Sequence, residues 1–189
     1  SADEASSVFA ADIDGDGDMD VLSAFDDTIA LYRNGDATSG DGDGSQWTET
    51  EVTTGADGAA DVHSADIDGD GDQDVLSASF GDNTIAFYRN GDSTSGDGSQ
   101  WTKTEVATGF GVGSSVYAAD IDGDGDQDVL SASGSTIAFY RNGDATSGGG
   151  DGTSWTKTEI TTGADSATDV FAADIDGDGD MDVLSASLS

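Results

Sequence analysis

Cysteine and proline are both absent from these 189 residues. Without cysteine there is no disulfide framework, no thiolate nucleophile and no sulfur ligand for a metal. Basic residues are nearly absent as well: 5 Lys and Arg stand against 40 Asp and Glu, for a formal charge of −35. A field of that sign repels phosphate and excludes nucleic acid and anionic membrane surfaces as partners. The charge suits a salty setting, where screening shortens the reach of surface repulsion. A single histidine, His63, leaves general acid–base chemistry thinly equipped. No apolar run approaches the roughly 20 residues of a membrane span, and no signal peptide is present. The chain opens on Ser1 rather than Met, so the expectation is a processed chain or a segment of a longer, exported one.

What is present is repetition. The nonapeptide Asp12-Ile13-Asp14-Gly15-Asp16-Gly17-Asp18-Met19-Asp20 returns, nearly unchanged, from Asp66, Asp120 and Asp174. Each step is 54 residues and the segments between repeat with it. Such periods belong to propellers, solenoids and arrays.

The nonapeptide reads as a cage for a hard cation. Aspartates at positions 1, 3, 5 and 9 supply carboxylate oxygens and position 7 can add its backbone carbonyl, which approaches the roughly 6 to 8 oxygens Ca²⁺ takes. Glycines at positions 4 and 6 let the backbone turn through positive φ, so that alternate carboxylates converge. Mg²⁺ keeps its waters and demands a stricter octahedron, so Ca²⁺ is the expected ion, about four per chain. Asp-Gly runs also make plain turns. Five aspartates in nine positions, four times over, nevertheless repel one another unless a cation lies among them.

The first six positions also open an EF-hand, which needs a bidentate Glu at position 12 and a helix on each side. Position 12 here is Ser23, Ser77, Ser131 or Ser185. The flanks, Val8-Phe9-Ala10-Ala11 and Val21-Leu22-Ser23-Ala24, are short apolar runs of the buried-strand kind. The loop therefore joins two strands of a hairpin.

With Val-Leu after each loop and an apolar strand before it, the chain resembles the FG-GAP and VCBS repeats of calcium-binding β-propellers, including those of integrin α-subunits and secreted microbial proteins. The resemblance implies side-chain ligation by Asp12, Asp14, Asp16 and Asp20, with Asp18 giving its backbone carbonyl. The same roles fall to Asp66, Asp68, Asp70 and Asp74 with Asp72; to Asp120, Asp122, Asp124 and Asp128 with Asp126; and to Asp174, Asp176, Asp178 and Asp182 with Asp180.

The expected fold is all-β, a β-propeller-like array of four-stranded antiparallel blades without helices, with one calcium-binding hairpin loop per blade. Strands are expected in the first unit at 8–13, 21–25, 28–34 and 47–53. The whole of 1–189 forms one array, with blades at 8–61, 62–115 and 116–169 and a half blade at 170–189, about 3.5 in all. A propeller of four to eight blades does not close on that number. The expectation is a homo-oligomer, a filament, or the remainder of a longer propeller. Two copies give the strand count of seven blades, but the missing outer pair has no obvious donor.

Other features keep the period. Trp47, Trp101 and Trp155 share one slot, and Phe9, His63, Tyr117 and Phe171 another. Packing between sheets is expected of the tryptophans ahead of sugar stacking, and a structural role of His63. Arg33, Arg89 and Arg141 share a slot and are expected to pair with a carboxylate within each blade. Arg33-Asn34-Gly35-Asp36 carries an Asn that breaks an adhesive tripeptide, and reads as turn chemistry. In the polar excursion at 35–46, Asp41 with Asp43, or Asp36 with Asp41, is a weaker second cation site, with a solvated turn as the default.

The functional expectation is a noncatalytic, calcium-stabilised extracellular or cell-surface module serving adhesion, surface structure or self-assembly, as a filament or ring subunit. The alternative is a lectin-like propeller that binds glycan, and a glycan or protein ligand is the expected further partner. An enzyme is disfavoured because the concentrated carboxylates are already assigned to metal.

Overall fold

The structure is a computed structural model and describes residues 4–35, 42–91, 96–109, 113–143 and 149–188. The first sheet holds β1 (Ala5–Ala11), β2 (Asp20–Phe25), β3 (Thr28–Asn34) and β4 (Trp47–Thr53). The second holds β5 (Ala59–Ala65), β6 (Asp74–Ser79), β7 (Thr84–Asn90) and β8 (Trp101–Thr108). The third holds β9 (Gly113–Ala119), β10 (Asp128–Ser133), β11 (Thr136–Asn142) and β12 (Trp155–Thr161), and β13 (Ala167–Ala173) pairs with β14 (Asp182–Ser187) alone. Every sheet is an antiparallel meander in sequence order. Among the described residues there is no helix. The result is an open array of blades rather than a closed barrel.

The pattern of β7 shows why the sheets stack face to face. Successive residues of a strand point to opposite faces. Ile85 and Phe87 enter a core with Val129, Ala138 and Tyr140 of the third sheet. Ala86 and Tyr88 enter the core on the other side, with Leu22, Ile29 and Leu31 of the first sheet. A middle sheet is thus covered on both faces, and all six residues of β6 are buried. This explains why the runs Val-Leu-Ser-Ala are short and apolar throughout instead of alternating with charge. Each fully buried Leu, Ile or Phe contributes about 1.5–3 kcal/mol.

Equivalent positions differ only by what lies beside them. Val62, Val116 and Val170 are buried, but Val8, with no sheet before it in this chain, is 67% exposed. Leu22, Leu76 and Leu130 are fully buried, and Leu184 of β14 is 43% exposed. The tryptophans follow the same rule: Trp101 packs on the core between the first two sheets and Trp155 on the next, as expected, while Trp47 is exposed.

The first strands β1, β5, β9 and β13 lie side by side. Their aromatic slot forms a ladder, Phe9 to His63 at 4.3 Å, His63 to Tyr117 at 4.6 Å and Tyr117 to Phe171 at 4.7 Å between ring centroids. One expected boundary is corrected: β1 runs over Ala5–Ala11 and stops before Asp12 and Ile13. The Ile13 N–H has left the ladder to donate to Asp20 Oδ2 at 3.0 Å, so the loop has already begun there.

Candidate metal centres

Four loops of one design join the first and second strands. In the first, Gly15 and Gly17 take φ of 75° and 98°, the left-handed region that glycine enters without a Cβ penalty. These turns fold the loop on its own carboxylates: Gly17 N donates to Asp12 Oδ2 at 3.0 Å and Asp18 N to Asp16 Oδ1 at 2.9 Å. Asp20 closes it from below. Its Oδ2 accepts from Ile13 N and its Oδ1 from Asn34 N, both at 3.0 Å, so one carboxylate ties the loop to the end of β3. Asp74 makes the same two bonds to Ile67 N and Asn90 N, and Asp128 to Ile121 N and Asn142 N.

Carboxylate oxygens of Asp12, Asp14 and Asp20 come within 4.8 Å of one another, as do those of Asp120, Asp122 and Asp128, and of Asp174, Asp176 and Asp182. In the second loop the trio is Asp66, Asp68 and Asp70. Asp16, Asp74, Asp124 and Asp178 stand outside these trios, and so do the position-seven residues Asp18, Asp72, Asp126 and Asp180. Position seven is occupied elsewhere: Asp18 Oδ2 accepts from Gly42 N, and Asp126 Oδ2 from Gly149 N and Gly150 N at 2.6 Å. Its carboxylate thus holds the excursion between the third and fourth strands.

The donor set fits a hard cation. Buried oxygens of Asp12, Asp16, Asp66, Asp70 and Asp124 have no hydrogen-bond partner among the described residues. An acceptor-only group left that way costs about 1–3 kcal/mol or more unless something positive satisfies it. Burial raises Asp14 to about 6, aided by the charges of Asp20 and Asp16. Burial likewise raises Asp74 to about 7 and Asp128 to about 6.

The arginines supply part of the countercharge. Arg89 pairs with Asp68 and Arg141 with Asp122, as expected of this slot. Arg33 differs: it donates to the Asp97 carbonyl at 3.2 Å and to Thr50 Oγ1 at 3.0 Å. It reaches the excursion of the next sheet, as Arg89 also does through the Asp151 carbonyl at 3.3 Å. Of the second, weaker site, Asp36 and Asp41 lie outside the described residues. Asp43 is exposed, and the Ser45 side chain, with Ser45 N donating to Asp43 Oδ1 at 2.9 Å, holds its carboxyl below the usual range.

Two features escaped the sequence reading. Asn90 is fully buried, and its Nδ2 donates across to the Ile13 carbonyl of the preceding loop at 2.8 Å and to the Gln73 carbonyl at 3.1 Å. Asn142 repeats this with Ile67 at 2.7 Å and Gln127 at 3.2 Å. The recurrence of Arg-Asn-Gly at 33–35, 89–91 and 141–143 was the available signal. The second feature is a cleft of about 450 Å³ between the second and third sheets, lined by His63, Ser64, Gln73, Ala118 and Gln127 among others. Ser64 Oγ donates to Gln73 Oε1 at 2.9 Å. His63 Nδ1 is buried without a partner among the described residues, and burial lowers the imidazole to about 4. The eighth loop position reads Met19, Gln73, Gln127 and Met181, and the ring slot reads Phe9, His63, Tyr117 and Phe171. Polar variants therefore gather at the middle two repeats, around this cleft.

A family model described as FG-GAP-like repeat matches residues 12–77, 66–131 and 120–185, each match running from one loop into the strand that follows the next. No curated protein matches the sequence. A solved structure described as the basis of specific recognition of non-reducing terminal N-acetylglucosamine by an Agrocybe aegerita lectin superposes with a TM-score of 0.57 at 22% identity. The superposition covers 94% of this chain and 46% of that one, so the present chain spans about half the length of the lectin. At that identity the likeness is one of fold.

Proposed function

The chain belongs to the FG-GAP-like repeat family, and from that premise we propose that it is a noncatalytic, calcium-stabilised extracellular module of adhesion, surface structure or self-assembly. The observation that carries this reading is the fourfold recurrence of converging carboxylates, with buried, unpartnered oxygens in the first three loops. Asp12, Asp14, Asp16 and Asp20, with the Asp18 carbonyl, would hold one Ca²⁺, and their equivalents in the other loops three more. The ion supplies the positive charge that lets each loop stay folded. Binding only the folded state, it stabilises that state by about 2.7 kcal/mol per site at a hundredfold excess over Kd.

In the same reading the array divides into 54-residue blades at 8–61, 62–115 and 116–169 and a half blade at 170–189, with the first strand of each sheet starting up to three residues ahead of those bounds. Val8 and Trp47 on one side, and Ile175, Met181 and Leu184 on the other, are the apolar surfaces through which this chain meets a further copy or further blades. The test is thermal unfolding with light scattering in millimolar Ca²⁺ and in excess chelator. A large fall in Tm on chelation supports the calcium reading, and an unchanged Tm defeats it. A particle mass above the 18.9 kDa chain supports assembly.

The polar cleft favours a second reading, recognition of a glycan. Its volume lies in the usual range of ligand sites. Neutral His63 and the Gln73 and Gln127 amides offer uncharged donors and acceptors beside the Asp66 and Asp126 carboxylates that also line it. With Trp101 and Trp155 packed between sheets, the cleft rather than the tryptophans is where a sugar would bind. Saturation-transfer NMR with N-acetylglucosamine, galactose and glucose tests this: a signal lost in the His63→Phe, Gln73→Met, Gln127→Met variant supports it, and no signal from any sugar rejects it.

A further inference from the structure

A continuous series of hydrogen bonds threads the first three of the four loops together. Asn34 N donates to Asp20 Oδ1, and Asp20 Oδ2 accepts from Ile13 N, both at 3.0 Å. The Ile13 carbonyl accepts from Asn90 Nδ2 at 2.8 Å, and Asn90 N donates to Asp74 Oδ1 at 2.8 Å. Asp74 Oδ2 accepts from Ile67 N at 3.0 Å, and the Ile67 carbonyl accepts from Asn142 Nδ2 at 2.7 Å. Asn142 N then donates to Asp128 Oδ1 at 2.9 Å, whose Oδ2 takes Ile121 N at 3.1 Å. Asn90, Asn142, Asp74 and Asp128 are fully buried, so water does not compete for these bonds.

We propose that Asn90 and Asn142 are positioning residues that couple neighbouring cation loops, so that an ion in one loop raises the affinity of the next. The proposal rests on the calcium reading above. The Ile13 peptide lies between Asp12 and Asp14, two members of the first trio. An ion that gathers those carboxylates fixes the peptide between them, and its carbonyl then fixes the Asn90 amide. Through its own N–H, Asn90 orients Asp74, the ninth position of the second loop. The ordering spent on one loop need not be spent again on its neighbour, and the effect is reciprocal. An asparagine that merely stapled two sheets would change global stability without changing how the loops fill relative to one another.

Asn34 provides an internal control. Its Oδ1 accepts from Gly44 N at 2.9 Å, as Asn90 Oδ1 accepts from Gly98 N at 2.8 Å. The nonapeptide at 12–20 is the first in these 189 residues, so an earlier repeat whose loop the Asn34 amide would reach is not among the described residues.

The experiment is a Ca²⁺ titration of the ¹⁵N-labelled 189-residue protein, following the amides of Gly17, Gly71 and Gly125 as separate reporters of the first three loops. In the unaltered protein the three are expected to fill together, with a Hill coefficient above 1. In Asn90→Ala the first loop's midpoint is expected to rise roughly fivefold or more, the lower end of coupling between sites. The third loop should move least, and Asn34→Ala should leave the other loops unchanged. Should Asn90→Ala fail to fold, Asp70→Ala disables the second loop while leaving the series intact. Coupling then requires weaker binding at both the first and third loops. Independent filling in the unaltered protein, or unmoved first and third loops in Asp70→Ala, overturns the proposal and leaves the calcium reading standing. Amides that do not respond to Ca²⁺ at all defeat both.

Discussion

Ser7 gives its hydroxyl proton to Asp61 Oδ1 at 2.6 Å, one whole repeat away along the chain, and Ser115 does the same to Asp169 at 3.0 Å. The two acceptors are not equally placed. Asp61 Oδ2 also accepts from Val116 N at 3.0 Å, so this side chain touches the first, second and third sheets at once. Asp61→Ala is expected to destabilise the protein by about 2 kcal/mol, and Asp169→Ala by less than about 1 kcal/mol. Urea denaturation of the two variants in calcium decides it, and equal losses would refute the three-sheet role.

Removing calcium should expose an unusual pH dependence. Burial raises Asp14, Asp74 and Asp128 to about 6, 7 and 6, whereas the unfolded chain releases those protons near 4. Between those values the folded state binds more protons than the unfolded state, so stability without metal falls as pH rises from about 4 to 7. His63 acts in the opposite sense but is one group against three. In chelator, the Tm at pH 5 is therefore expected to exceed that at pH 7.5. In calcium the order reverses, because protons and Ca²⁺ compete for the same oxygens and the ion binds more tightly as pH rises.

His63 occupies a ring slot that Phe9 and Phe171 fill elsewhere, and its Nδ1 has no partner among the described residues. Burial lowers it to about 4 from 6.5, so it detracts from stability as pH falls below 6.5, with the loss complete near 4. His63→Phe should stabilise the protein by about 2 kcal/mol at pH 5 and by much less at pH 8. Melting curves at the two pH values would show this, and a gain independent of pH would contradict it.

Trp101 packs on the core between the first two sheets and Trp47 is 46% exposed. Trp101→Ala is expected to cost about 3 kcal/mol and Trp47→Ala within about 0.5 kcal/mol, although the two share a slot. Denaturant midpoints of the pair test whether neighbouring sheets, rather than residue type, set the energetics.

Much of this was legible because the 54-residue period carries its own alignment. The apolar runs Val-Leu-Ser-Ala announced buried strands. The strand ends were less legible. Ile13 looks like the last residue of an apolar strand, yet its N–H turns to the Asp20 carboxylate instead of the ladder. Asn90 and Asn142 were hidden for a different reason: Asn-Gly is also good turn chemistry, and no one-dimensional pattern indicates that a turn asparagine reaches 77 residues back to Ile13. Arg33 shows a third limit, since its slot promised the carboxylate pair made by Arg89 and Arg141, and it donates instead to a main-chain carbonyl of the next sheet and to the Thr50 hydroxyl.

The junction between the first and second sheets is built from the same parts as that between the second and third, with Asn90 on Ile13 in one and Asn142 on Ile67 in the other. Each copy of the unit thus carries half of the junction behind it and half of the junction ahead. Tandem duplication of a single 54-residue stretch of coding sequence would deliver a working joint at both new boundaries, with no compensating change elsewhere. Length is therefore an inexpensive trait for this architecture to vary, and relatives are expected to differ by whole copies more readily than by fractions of one.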